Sequence, residues 1–100
     1  MNRTWLEPWD EIAQEEKQTF KKQLAKEITS KHPLYELELE LIGRSYANDD
    51  ILVEVEKNRL AVVHLTWSNN PGDQYFPRTT FYPNWAAFFT QKMTEDNRGY

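Results

Sequence analysis

The longest apolar run in the chain is Leu60 to Trp67, LAVVHLTW, interrupted by a single histidine. A segment apolar on both of its alternating faces belongs inside a sheet and is covered on both sides. It therefore reads as the central strand. Tyr35 to Gly43, YELELELIG, alternates strictly, with Leu37, Leu39 and Leu41 on one face and Glu36, Glu38 and Glu40 on the other. This is the pattern of a half-buried strand with a carboxylate-bearing outer face. Ile51 to Glu56 repeats it: Ile51, Val53 and Val55 point inward, Glu54 and Glu56 outward. Lys57-Asn58-Arg59 is a hairpin turn into the central strand. A three-residue turn puts Ala61, Val63, Leu65 and Trp67 on the core face and His64 on the outer face beside Glu54. A two-residue turn reverses that assignment, because a slip of one residue exchanges the faces.

Helical periods flank these strands. Trp9, Ile12, Ala13, Phe20, Leu24, Ala25 and Ile28 form a one-sided stripe, predicting a core-packed helix from Pro8 to Ser30. Glu7-Pro8 supplies a favourable first position, and Lys31-His32-Pro33 supplies the stop. Arg44 to Asp50 reads as a turn and Ser68 to Asp73 as a loop. Gln74 to Tyr82 reads as a fourth strand, at an edge because it contains Pro77. Trp85, Phe88, Phe89, Lys92 and Met93 form the stripe that predicts a second helix over Pro83 to Glu95, followed by a tail from Asp96 to Tyr100. The sum is a single α+β domain over residues 1–100. It has an N-terminal helix, an antiparallel meander of three to four strands and a C-terminal helix (α-β-β-β-β-α), stacked in two layers.

Composition narrows the function. The 100 residues carry a formal net charge of −4 with 14% aromatics, enough large side chains for a real core. The acidic balance argues against nucleic acid and anionic membranes and favours a basic partner. With no cysteine there is no disulfide, thiolate metal site or cysteine nucleophile, which fits a cytoplasmic location. The opening residues MNRTWLEPWDE lack a signal-peptide core, and no run approaches the roughly 20 apolar residues of a membrane span.

The most unusual candidate is the acidic ladder of Glu36, Glu38, Glu40, Glu54 and Glu56. Like charges facing each other across strands repel, so basic neighbours such as Arg59, or a basic partner, should relieve them. A solvated strand face is the plain alternative. His64 suggests a second centre, with Asp49, Asp50, Trp67 and Tyr75 around its mouth and Thr66 or Ser68 as hydroxyls nearby. A structural histidine explains it more simply, since no nucleophile elbow accompanies it. Tyr46 and Tyr75 are expected to stay partly exposed, as interaction-surface aromatics do. Two histidines on different elements and one short acidic turn predict no metal site, and no nucleotide fingerprint predicts a cofactor.

His32-Pro33-Leu34, Asn48 to Leu52, Ala61 to Trp67, Pro77, Phe81-Tyr82, Trp85, Met93 and Asp96 together resemble the pattern of a small bacterial family without a settled biochemical activity. In size, charge and layout the chain also resembles bacterial toxin-immunity proteins, including those of contact-dependent growth inhibition systems. That resemblance implies a non-catalytic protein that neutralises a basic, nuclease-type toxin domain through its acidic and aromatic surface. Two alternatives stand beside it: a small enzyme or ligand-binding protein centred on His64, and a homodimer formed through edge strand 74–82.

Overall fold

The computed structural model describes residues Arg3 to Tyr100; the first two residues of the expected lead-in lie outside it. Five antiparallel strands form one sheet in sequence order: β1 (Trp9–Glu11), β2 (Leu39–Ser45), β3 (Ile51–Val55), β4 (Arg59–His64) and β5 (Arg78–Tyr82). Helix α1 (Gln14–Glu27) lies between β1 and β2. The C-terminal helical segment runs through α2 (Trp85–Phe88), a π-helical turn (Phe89–Met93) and α3 (Thr94–Arg98). The α+β class and the antiparallel meander agree with the sequence pattern.

The sheet has a core on each face, so the layers number three rather than two. On one face Phe20 and Leu24 of α1 pack with Leu41, Ile51, Val53, Val55, Ala61 and Val63. On the other, Phe88 and Met93 pack with Trp9, Leu52, Leu60, Val62 and Tyr82. β3 and β4 are apolar at both alternating sets of positions, and each set needs its own cover. The hairpin turn takes three residues but lies one residue earlier than the expected Lys57-Asn58-Arg59, with Arg59 already in β4, a displacement that leaves the faces unchanged. Val55 pairs with Arg59 and Val53 with Ala61, leaving Glu56, Lys57 and Asn58 between the strands. Glu56 and Lys57 have φ of 53° and 61°, the left-handed backbone that matches a hairpin turn to strand twist.

Other boundaries differ from the sequence pattern. The predicted first helix begins later, at Gln14, because Trp9–Glu11 pairs with Gly43–Ser45. Within this strand Trp9 is buried, and Asp10 and Glu11 are exposed. Pairing satisfies the edge of β2, which a helix would leave bare. The helix also ends earlier, with Ile28 already extended. The second strand begins at Leu39 rather than Tyr35, since Tyr35 and Glu36 lie in a turn and Glu36 has φ of 64°. It runs on to Ser45 past a bulge between Leu41 and Gly43. The fourth predicted strand shortens to Arg78–Tyr82, with Pro77 just before it. The expected C-terminal tail is instead helical to Arg98. Among the described residues no helix is long and apolar enough to cross a membrane.

Candidate functional site

The acidic surface is smaller than the ladder expected from the alternation. Glu40 and Glu54 stand directly opposite each other across β2 and β3. Glu38 joins them just before β2, where its carbonyl accepts the Glu56 N–H at 2.8 Å. Glu36 and Glu56 drop out because both occupy left-handed turn positions and no longer share the strand face. The remaining three carboxylates, with Leu39 and Lys57, line a depression of ≈ 450 Å³. Each has one cationic neighbour at long range: Lys57–Glu38 at 3.8 Å, Lys17–Glu40 at 3.6 Å and Arg3–Glu54 at 4.0 Å. Such exposed, loosely held pairs contribute little. Arg59, expected among them, stacks over the Phe81 ring at 4.4 Å instead.

Leu39 also borders an apolar groove of ≈ 320 Å³ between α1 and the chain around β2, with Leu24, Ile28, Leu34 and Leu41 in its wall. β1 pairs with β2 only from Gly43 to Ser45. The Leu39–Leu41 stretch therefore has no partner strand on its outer side among the described residues, and the acidic depression and the apolar groove adjoin at that edge.

His64 lies on the outer face of β4, as the three-residue turn requires, but its neighbours differ from those expected. Its Nδ1 is hydrogen-bonded to Asp50 Oδ1. Asp50 is fixed by its own backbone: its N–H donates to Asn48 Oδ1 at 3.0 Å and its carbonyl accepts from Ser45 N–H at 2.8 Å. The carboxylate of Asp50 is 8% exposed, whereas the imidazole is 55% exposed. Around the pair, Arg78, Thr80, Tyr82 and Lys92 complete a depression of ≈ 280 Å³. Burial pushes the Tyr82 phenol above its ordinary value, with Lys92 opposing the shift and Asp96 adding to it.

The other expected mouth residues go elsewhere. Asp49 bonds to Arg44. Trp67, φ 58°, leaves the strand and meets Phe20 edge-on at 5.3 Å, so it does not continue the core face of β4. Tyr75 is exposed, its N–H donated to Asp73 Oδ1 at 2.8 Å. Tyr46 is exposed too, under the Arg44 guanidinium at 4.2 Å. Thr66 donates its hydroxyl to Glu27 and Ser68 Oγ accepts the Asn70 N–H, so neither serves His64. An oriented imidazole without a hydroxyl partner can bind or exchange a proton, but it lacks the nucleophile of a hydrolase triad. No group of three or more potential metal ligands converges among the described residues.

Two polar centres escape a sequence-only reading. Glu27, 1% exposed, accepts from Gln23 Nε2 at 2.6 Å, Thr66 N–H at 2.8 Å, Thr66 Oγ1 at 2.9 Å and Trp67 N–H at 3.0 Å. It ties the end of α1 to the exit of β4. His32 is equally buried: Leu34 N–H donates to Nδ1 at 3.0 Å, which leaves Nε2–H to donate to the Pro77 carbonyl at 2.8 Å. Both are anchors of loops.

No protein-family profile, curated protein or solved structure matches the chain.

Proposed function

We propose that the protein is a non-catalytic binding module for a basic protein partner, and that its concrete role is that of an immunity protein neutralising a nuclease-type bacterial toxin domain in the cytoplasm. The observation that supports this reading is the cross-strand Glu40–Glu54 pair. Two carboxylates face each other, Glu38 stands beside them, and only loose, solvent-exposed cation contacts offset their repulsion. A basic partner would relieve the repulsion on binding and would be steered toward it. The adjoining apolar groove supplies the dry centre that a charged rim by itself does not. The exposed Tyr46, Trp67 and Tyr75 are further anchor candidates, and the turn residues Glu36 and Glu56 extend the acidic character of the surface, whereas Asp50 is buried against His64 and Asp49 is paired with Arg44. In this role His64 is at most a rim contact.

Affinity capture from the native host's lysate tests the reading. The expected result is a basic protein retained at low salt, released at high salt, and lost when Glu38, Glu40 and Glu54 are together changed to lysine. If the triple variant captures the same protein with the same salt dependence, or if no basic protein is captured at all, the reading falls.

A further inference from the structure

The His64 depression differs in character from the rest of this acidic molecule, and we propose that it is a binding site for the phosphoryl group of a small phosphate monoester. The side chains that line it come from separate elements: His64 from β4, Arg78 and Thr80 from β5, and Lys92 from the π-helical turn. Register brings the first three together. His64 pairs with Arg78 and Val62 with Thr80 across β4 and β5, so all of them share the outer face.

Donors dominate this lining. Arg78 offers a planar guanidinium suited to two oxygens at once, and Lys92 an ammonium. Thr80 and Tyr82 offer hydroxyls. The one carboxylate in the wall, Asp50, is buried and occupied by His64 Nδ1. That bond fixes the imidazole orientation, and Nε2 has no hydrogen-bond partner among the described residues. The lining holds two cations and one carboxylate, and Asp96 balances Lys92, so with His64 neutral the depression is formally neutral in a protein of net charge −4. It is therefore less repulsive to an anion than the acidic surface around it.

The backbone adds a second indication. The C-terminal helix widens to a π-turn at Phe89–Met93, where Thr94 N–H reaches back to the Phe89 carbonyl. Such turns are rare and recur at functional sites. Here the turn carries Lys92 to the depression. Asp96 lies 3.3 Å from Lys92 and also accepts from Trp9 Nε1 at 2.7 Å, so its charge offsets that of Lys92, and Arg78 is the cation of the site with no carboxylate partner among the described residues. At ≈ 280 Å³ the depression accommodates a phosphoryl group and the first atoms of its substituent, whereas a larger ligand would extend into solvent.

The test is a two-dimensional NMR titration of the full chain with phenyl phosphate, with inorganic phosphate, and with sodium chloride at matched ionic strength. Saturable shifts at His64, Arg78, Thr80 and Lys92 are expected with both phosphates and not with chloride. Phenyl phosphate should bind several-fold tighter, because its ring can meet Val62 and the ring of Tyr82 in the lining. Arg78→Gln and Lys92→Gln should each weaken binding about tenfold, the loss of one charge-assisted contact, in proteins whose dispersed spectra show them folded. Shifts that chloride reproduces, or that persist unchanged in the Arg78→Gln/Lys92→Gln double variant, overturn the site. Equal affinity for both phosphates overturns the monoester assignment in favour of free phosphate. Lysine substitution of Glu38, Glu40 and Glu54 should leave the titration intact, so this proposal and the partner-binding reading fail separately.

Discussion

Glu27 and the Glu40–Glu54 pair carry the same functional group in opposite circumstances. Glu27 is sealed between α1 and the exit of β4 and receives four donors, all within 3.0 Å. Glu40 and Glu54 sit on the surface, oppose each other, and have cations no nearer than 3.6 Å. Solvent exposure is the reverse of what charge alone suggests: the buried carboxylate is the well-satisfied one. A buried charge survives only where its hydrogen bonds replace water, and a surface charge survives without partners because water remains. What a carboxylate does in this fold therefore follows from its partners, and the unsatisfied ones are those with something left to bind.

The comparison is broken most directly at Glu27. Glu27→Ala removes the acceptor for two backbone N–H groups, one hydroxyl and one amide, the amide buried and the other three part-buried. The expected loss of stability is about 3 kcal/mol or more, read as a drop in the urea midpoint at unchanged slope. A loss under about 1 kcal/mol would mean that the loop satisfies those donors by another route. At the surface the sign should invert. Glu54→Gln ends the like-charge confrontation with Glu40 and should stabilise the isolated protein by roughly 0.2–1 kcal/mol, while weakening capture of the basic partner. The gain should shrink as salt is added, and a variant that is less stable at low salt would show that the pair is not repulsive. The smallest effect belongs to the other face. Burial raises the folded-state phenol of Tyr82 above its unfolded value near 10.0, so the folded protein favours the protonated form. This contribution is fully present below that unfolded value and is lost as pH climbs through the folded one. Tyr82→Phe should therefore flatten the alkaline decline of stability above pH about 10, measured by thermal unfolding alongside the 295 nm tyrosinate signal. An unchanged alkaline limb would assign the decline to other groups.

Much of the sheet could be read from local pattern. The alternation of Ile51, Val53 and Val55 and the apolar run at Leu60–Leu65 have periods that a strand alone explains, but they leave two hairpin registers open, and the pairing of Val55 with Arg59 decides between them. Trp9–Glu11 misled because Trp9, Ile12 and Ala13 also fit a helical period. Only the unsatisfied edge of β2, thirty residues on in sequence, decides for the strand. The same limit governs the sites. Glu36 looks equivalent to Glu38 and Glu40 in YELELELIG, and a left-handed turn at Glu36 separates it from them. Glu27 has no local mark of burial, since its partners Thr66 and Trp67 lie 39 and 40 residues away. Lys92 reads as an ordinary polar helix position, and nothing nearby announces a π-turn. Periodicity reports which side of an element is wet. It does not report which distant groups meet there.

The first and last segments of the chain are bound to each other. Leu6 N–H reaches Met93 Sδ at 3.4 Å, Asn97 Nδ2 donates to the Glu7 carbonyl at 2.7 Å, and the Trp9 indole donates to Asp96. These contacts join residues 87 to 90 apart, so they close nearly the whole chain into a ring without a covalent link. Loop closure of that length is entropically unfavourable until the sheet between has formed. The junction is therefore the natural last step of assembly and the first to part under tension applied at the two ends.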